Sequence, residues 1–223
     1  MTVQHHIPDE TLLSYAAGDL DDATSLVVAV HLALCPACRE AIDVASDIGG
    51  MMLEDLAPVA MSGDALAHVL ARTETAAAGE RPVPMTTSQS SSPAASFVFP
   101  EPLRSRIGGD LDNVKWRRIG PGVQQFVLPC ADGASQARLL KIAGGQGVPE
   151  HGHTGEEFTL VLAGGFSDGS LAFARGDVEW ADPDVVHRPV ADDGDGCVCL
   201  AVTSGPLQFF DIIGKIAQRV IGI

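Results

Sequence analysis

His31-Leu32-Ala33-Leu34-Cys35-Pro36-Ala37-Cys38 decides the fold of the first part of this 223-residue chain. It closes an apolar run, Leu26 to Val30, that has helical length and no helix breaker. On a helix, His31 and Cys35 lie one turn apart on one face. Cys35 and Cys38 have the spacing of a zinc knuckle, and thiolate and imidazole are ligands that suit tetrahedral zinc. The stretch therefore predicts a metal site, and the alternative is a helix that carries a histidine and two buried cysteines.

A closed zinc site needs a fourth ligand, and the N-terminal arm of the chain offers two. His5 and His6 are the only other histidines in the first sixty residues, and both stand just before the first predicted helix. Spacing alone does not separate them. A metal held by either histidine would pin the arm to the junction of the second and third helices.

Start and stop signals predict four short helices in residues 1–78. The signals are Pro8 to Thr11 and Gly18 for the first helix, Asp21-Asp22 for the second, Pro36 for the third, and Ser62-Gly63-Asp64 for the fourth. The third helix is expected to run to about Leu56, with a soft point at Gly49-Gly50. Four short helices bury a small core, so a structural metal would stabilise this domain.

The composition changes after residue 78. Residues 79–100 are rich in Pro, Ser and Thr without periodicity, which is typical of a linker and places the domain boundary there. From residue 101 onward, short apolar runs separated by Gly, Pro and Asp predict strands of a sandwich or small barrel. These runs are 123–128, 137–142, 158–162, 178–180, 197–203 and 207–213. We therefore expect a small all-α domain, residues 1–78, a linker, residues 79–100, and an all-β domain, residues 101–223.

A second set of metal-ligand residues lies in the predicted β domain. His151, His153 and Glu157 share parity, so on an extended segment their side chains would tend toward one face. His187 is a later histidine that could complete the set. The alternative is two exposed loop histidines and an unrelated carboxylate. Three histidines and one glutamate fit Zn, Mn, Fe or Ni, and the ligands alone do not choose among these metals.

Charge and cysteine content narrow the class of protein. The net charge is −15, and residues 1–80 carry −11 of it. An acidic surface repels nucleic acid and attracts a basic partner, although acidity also simply keeps a domain soluble. Five cysteines without a disulfide pattern favour a reducing cytoplasm. No apolar run has the length of a membrane helix, and the N-terminus lacks the features of a signal peptide.

Two motifs resemble known families. The N-terminal histidine followed by His-x3-Cys-x2-Cys resembles the zinc-binding anti-sigma family of bacteria, which implies the ligand set His6, His31, Cys35 and Cys38. The segment from Gly145 to Gly164 resembles the first motif of the cupin family. That resemblance implies a small antiparallel β-barrel in which His151, His153, Glu157 and His187 face inward. The second cupin motif, Gly176 to His187, lacks the usual proline-glycine turn and the following asparagine.

The pairing of both motifs resembles the anti-sigma factors of the singlet-oxygen response. The resemblance implies a cytoplasmic protein with zinc in each domain that is not an enzyme. Residues 1–78 would bind an extracytoplasmic-function-type sigma factor as a heterodimer, without contacting nucleic acid or membrane, and the cupin would control release under oxidative stress. The rival hypothesis is a dioxygenase-like cupin enzyme with a helical accessory domain, since such a site can leave positions open for substrate and oxygen. A third is a ligand-sensing module without a sigma partner.

The remaining cysteines and His68 indicate a functional role less clearly. Cys197 and Cys199 alternate on one predicted strand, so their sulfurs would share a face. Buried small apolar residues are the plainer interpretation of this pair, and a redox or supporting role near the metal is the alternative. Cys130 is expected at a strand end or in a loop, and His68 on a helix surface.

Overall fold

The computed structural model describes residues 2–79, 97–131 and 133–209, and for residues 74–79 it describes the backbone alone. The first part of the chain forms α1 (Asp9–Ala17), α2 (Asp22–Leu34), α3 (Pro36–Glu54) and α4 (Ala65–Gly79). The four predicted helices are thus confirmed, and α3 continues through Gly49-Gly50 to end two residues earlier than expected. Most of the predicted linker, residues 80–96, lies outside the described residues.

Local signals explain where the first two helices begin and end. Gly18 adopts a φ of 74°, the left-handed conformation that ends α1. Asp21 caps α2, because its carboxylate accepts hydrogen bonds from the backbone N–H groups of Ala23 and Thr24, each at 3.0 Å. The same carboxylate accepts a hydrogen bond from the Ser135 hydroxyl at 3.0 Å, which ties this helix start to the later part of the chain.

One helix was not predicted. The sequence interpretation assigned every element from residue 101 onward to strands, whereas α5 covers Glu101–Ile107 and a 3-10 turn covers Leu111–Asn113. Pro102 stands in the first turn of α5, and Gly108, with a φ of 80°, ends it. These are ordinary helix signals. The segment is one of the shortest helices of the chain, too short for its apolar period to stand out from that of the strands that follow.

Eleven strands follow, and all the predicted apolar runs fall on strands within the described residues. They are β1 (Arg117–Gly120), β2 (Val123–Val127), β3 (Gln136–Ile142), β4 (His151–His153), β5 (Glu157–Asp168), β6 (Leu171–Ala174), β7 (Val178–Ala181), β8 (Val186–His187), β9 (Val190–Ala191), β10 (Cys197–Thr203) and β11 (Leu207–Phe209). Residues 210–213 of the last predicted run lie outside the described residues.

The strands form two antiparallel sheets. The larger has the order β1-β2-β3-β10-β5-β6, with β7 and β9 also paired to β5, and the smaller has the order β11-β4-β8. A helical N-terminal region followed by an antiparallel β domain is therefore confirmed. The described pairings leave both sheets open, so the closed barrel is not shown.

The helical and β parts share one core. Val27 and Val28 of α2 are fully buried in the same apolar cluster as Leu160 of β5 and Leu200 of β10. The contacts accordingly group Met1–Gly49 and Phe97–Ile223 into one compact unit and Gly50–Ser96 into a second. The division into domains at residues 79–100 stays a prediction. Buried side chains of the first two helices pack in the same core as those of the β domain.

The evidence for a membrane-spanning segment is weak. In the described part of the chain, no single helix has the length and apolar character needed to cross a bilayer. Helices α2 and α3 pass the criteria of length and composition only when they are taken together, and they are bent by 117° at their junction.

Candidate metal centres

The bend between α2 and α3 brings the first set of predicted ligands together. His31 lies in the last turn of α2, Cys35 follows as its cap, and Cys38 lies in the first turn of α3. The N-terminal arm adds His6. One potential ligand atom from each of the four residues lies within 4.8 Å of all the others.

The two candidate histidines of the arm, His5 and His6, lie in different surroundings. The His5 ring does not join this cluster but lies against Phe173, with ring centroids 4.5 Å apart. The Nδ1 atom of His6, in contrast, lies 3.3 Å from the sulfur of Cys35 and 3.5 Å from that of Cys38. The geometry therefore favours His6 as the ligand from the arm.

The distances in this cluster fit a tetrahedral ion. The Nε2 atom of His31 lies 3.2 Å from the Cys38 sulfur. Ordinary zinc–nitrogen and zinc–sulfur bond lengths place a nitrogen and a sulfur about 3.6 Å apart on a tetrahedron. The Cys35 sulfur is the remaining donor, and two thiolates with two imidazoles form one of the usual donor sets of structural zinc.

Burial sets the protonation of these groups before any metal binds. It lowers the pKa of His31 to about 4, so the ring is neutral at pH 7 and has a lone pair for a metal. Burial, together with the neighbouring Cys35, raises the pKa of the Cys38 thiol to about 11. A metal bound here would displace the thiol proton, and it would satisfy sulfur and nitrogen atoms that are otherwise crowded in the interior.

Strand pairing assembles the second cluster. His151 on β4 lies opposite His187 on β8, and their Nε2 atoms are 3.1 Å apart. His153, two residues along β4, points its Nε2 atom at the Glu157 carboxylate, 3.3 Å away on β5. The cluster therefore draws on three strands, β4, β5 and β8. A turn separates Glu157 from the histidines, so one extended segment is not what aligns them.

This second cluster also fits a metal ion. All four side chains are buried, and their ligand atoms lie within 4.8 Å of one another. Within the described residues, neither ring nitrogen of His153 makes a hydrogen bond of good geometry. Burial alone would raise the pKa of Glu157. The three nearby histidines lower that pKa by more than burial raises it, so the carboxylate is ionised. An ion would give one nitrogen of His153 the partner that it lacks.

Two further carboxylates stand behind His187 that the sequence interpretation did not identify. The Nδ1 atom of His187 lies 3.4 Å from Glu179 and 3.5 Å from Asp168. A histidine that binds metal through one nitrogen usually donates the other N–H to a carboxylate or carbonyl. Burial raises the pKa of Glu179, and the opposing effect of His187 only partly offsets it. Within the described residues neither contact has hydrogen-bond geometry, but both carboxylates lie close enough to orient the ring of His187 when its other nitrogen binds a metal.

A cavity of about 420 Å³ opens beside the second cluster, with His151 and Glu157 in its wall. Most of the remaining wall is apolar, and Leu140, Phe166 and Phe209 contribute to it. Arg138 is a buried basic residue in the same wall, and it donates a hydrogen bond to the Gln136 side chain. The cluster is thus reached through an apolar space.

The other residues singled out in the sequence are not members of these ligand sets, and Cys199 lines the same cavity as His151 and Glu157. Cys197 and Cys199 are buried, free thiols within an apolar cluster, and the contact with Cys197 and burial raise the pKa of Cys199 well above its usual value. This packing agrees with the interpretation as small core residues. Cys130 is partly buried with its sulfur 3.7 Å from the Leu128 carbonyl oxygen, and His68 is exposed on α4.

Comparison with known proteins agrees with both halves of this arrangement. Residues 10–39 match the family model described as a putative zinc-finger. Residues 104–208 match the model described as the ChrR cupin-like domain. The first match covers His31, Cys35 and Cys38, and the second covers all four residues of the β-domain cluster.

Two relatives cover nearly the whole chain. The anti-sigma-E factor ChrR of Cereibacter sphaeroides is 44% identical over 218 residues, which is 98% of each chain. The crystal structure of Rhodobacter sphaeroides SigE in complex with the anti-sigma ChrR superposes with a TM-score of 0.76 at 44% identity, covering 91% of this chain and 99% of that one. With a zinc-finger segment, a cupin-like domain and this identity along its length, the chain belongs to the ChrR family of anti-sigma factors.

Proposed function

We propose that this protein binds an extracytoplasmic-function-type sigma factor as a heterodimer, keeps it from RNA polymerase, and releases it when an oxidative signal such as singlet oxygen arrives. The family assignment supports a regulatory role and not an enzymatic one. The solved relative was crystallised with a sigma factor, which supports the same class of partner here. The cytoplasm is the compartment in which such a partner acts.

The observation that carries this proposal is the unit Gly50–Ser96, whose described part has no buried residue between positions 50 and 73. All nine of its large apolar side chains from 50 to 73 are more than half exposed. They are Met51, Met52, Leu53, Leu56, Val59, Met61, Leu66, Val69 and Leu70. Exposed apolar surface of this extent marks a binding site. We call these nine side chains the capture surface.

Charge supports the same class of partner. Residues 1–80 carry thirteen Asp and Glu against two Arg, a net charge of −11. Such a segment attracts a basic protein surface and repels nucleic acid, so it favours capture of a sigma factor over direct DNA binding.

The two metal centres would serve different parts of this function. We infer zinc at His6, His31, Cys35 and Cys38, where it would hold the arm to the α2–α3 bend. A second ion, also zinc by family resemblance, would bind at His151, His153, Glu157 and His187, and the two sheets would close around it as a barrel. This second centre, with its adjoining cavity, is the part that we assign to sensing the signal.

Co-purification and reporter transcription test the proposal together. We expect the full chain, expressed with a sigma factor of this type from the same organism, to purify as a one-to-one complex and to silence a sigma-dependent promoter. Photosensitised singlet oxygen should restore transcription. Glu157→Ala should silence the promoter as the wild type does and respond poorly to singlet oxygen. Failure to form the complex would contradict capture, and a normal response from Glu157→Ala would contradict the sensing role.

A further inference from the structure

The N-terminal arm, residues 2–8, is attached to the turn that precedes β7. One carboxylate oxygen of Asp177 accepts hydrogen bonds from the backbone N–H groups of Gln4, at 2.6 Å, and His5, at 3.0 Å. In return, the Val178 N–H donates to the His5 carbonyl oxygen at 3.1 Å. Asp177 is 3% exposed, and these bonds are partly buried. The arm is thus held by a residue of the β domain.

The turn that precedes β7 also contacts His31, another residue of the helical cluster. The Gly176 carbonyl oxygen lies 2.9 Å from Nδ1 of His31, which is fully buried. A proton on Nδ1 donated to this carbonyl leaves Nε2 as the atom that faces the Cys38 sulfur. Gly176 has a φ of 96°, and a Cβ added there would lie 2.8 Å from a methyl carbon of Val3. The close approach of arm and turn therefore requires glycine.

His6 is placed by the segments on either side of it. Ile7, on its C-terminal side, is buried in the core. On its N-terminal side, Gln4 and His5 are held by Asp177. The His6 side chain itself is exposed. Its approach to the sulfurs of Cys35 and Cys38 therefore depends on where the backbone of the arm is fixed.

We propose that Asp177, a residue of the β domain, is a positioning residue for the zinc centre of the helical part, because it fixes the arm that carries His6. The inference rests on the zinc assignment proposed above. Asp177 is not one of the four residues of that cluster and would not bind the metal itself. It acts through the backbone, and residues that orient metal ligands in this indirect way typically change metal affinity 10- to 100-fold.

Cobalt substitution in the full-length protein tests this inference. Cobalt bound to thiolate absorbs in the near ultraviolet, and of the two ligand sets in the described residues only the one with Cys35 and Cys38 contains sulfur. Zinc added afterwards displaces the cobalt and reports zinc affinity at this centre alone. Cys38→Ser should remove the band, which identifies its source. We expect Asp177→Ala, which removes the accepting oxygens, to weaken zinc binding about tenfold and to shift the cobalt band.

Matched variants separate positioning from general damage. Gln4→Pro removes a backbone N–H that Asp177 accepts and leaves the β-domain sequence intact, whereas Gln4→Ala keeps that N–H. We expect Gln4→Pro to behave like Asp177→Ala, and Gln4→Ala to behave like the wild type. Asp195→Ala, the same substitution at an exposed site, should have no effect.

Two results would overturn the inference and are distinguishable. Wild-type zinc affinity and an unshifted band in both Asp177→Ala and Gln4→Pro would remove the positioning role while leaving the zinc centre in place. A wild-type protein with no Cys38-dependent cobalt band would remove the zinc assignment itself, and the positioning role with it.

Discussion

Replacing Leu66 and Leu70 together tests whether the capture surface binds the sigma factor. The two side chains are four residues apart on α4, so they share one face, and they are 69% and 52% exposed. Fully burying a leucine stabilises by roughly 1.5–3 kcal/mol, so each partly exposed leucine has about 1 kcal/mol left to contribute on docking. The double variant Leu66→Gln/Leu70→Gln should therefore lose about 2 kcal/mol of binding free energy, or about 30-fold in Kd.

Glutamine is chosen because its helix propensity is close to that of leucine, so α4 itself should be little affected. Calorimetric titration of the full chain with its sigma factor measures Kd, and thermal unfolding checks that stability is unchanged. Leu171→Gln on β6 is the matched control, because that leucine is also 52% exposed but lies outside the capture surface. Binding by the double variant within threefold of the wild type, or an equal loss in Leu171→Gln, would refute the reasoning.

Three further predictions follow from charge, capping and the second cluster. Association with a basic sigma surface should slow as salt rises, because screening shortens electrostatic steering to about 8 Å at physiological ionic strength; stopped-flow rates that stay flat with salt would contradict this. Asp21→Ala should lower the free energy of unfolding by about 1 kcal/mol through loss of the α2 cap, as measured in urea. Burial raises the pKa of Asp21, but the hydrogen bonds it accepts from Thr24, Ser135 and Ala23 bring that pKa below 3.8. The difference in unfolding free energy between wild type and Asp21→Ala should therefore be full above about pH 4 and vanish in stronger acid. A difference that persists in stronger acid would exclude the ionised cap. His187→Ala should lower metal content by one ion per chain and leave the cobalt–thiolate band in place, and loss of both ions would show that the two centres do not bind independently.

The four N-terminal helices, six of the described strands and the candidate ligand residues could be inferred from short sequence signals, whereas α5 could not. Glycine and aspartate at helix ends mark α1 and α2, and continuous apolar runs mark strands such as β10. The spacing of His31, Cys35 and Cys38 requires only one helix and a bend. Such short-range patterns do not depend on how the rest of the chain packs.

The partners of these ligands could not be predicted, because they come from distant parts of the sequence. Glu179 and Asp168 approach His187 only once β5, β7 and β8 are in place. Gly176 and Asp177 lie in the loose second cupin motif, and nothing in their spacing indicates that they face His31 and the N-terminal arm. Their roles depend on the packing of α2 against the sheet, which no local pattern encodes.

The placement of β7 bears on how a signal could pass from one centre to the other. The sensing role that we propose requires two states of the β domain that interact differently with the helical part. Strand β7 offers a contact between these two parts. Asp177, just before the strand, holds the arm of His6, and Glu179, two residues later, faces Nδ1 of His187. If the second cluster senses the signal as proposed, a change there that displaces Glu179 would act on a segment whose other end is hydrogen-bonded to the arm of His6, so the two centres share structure even though they share no ligand.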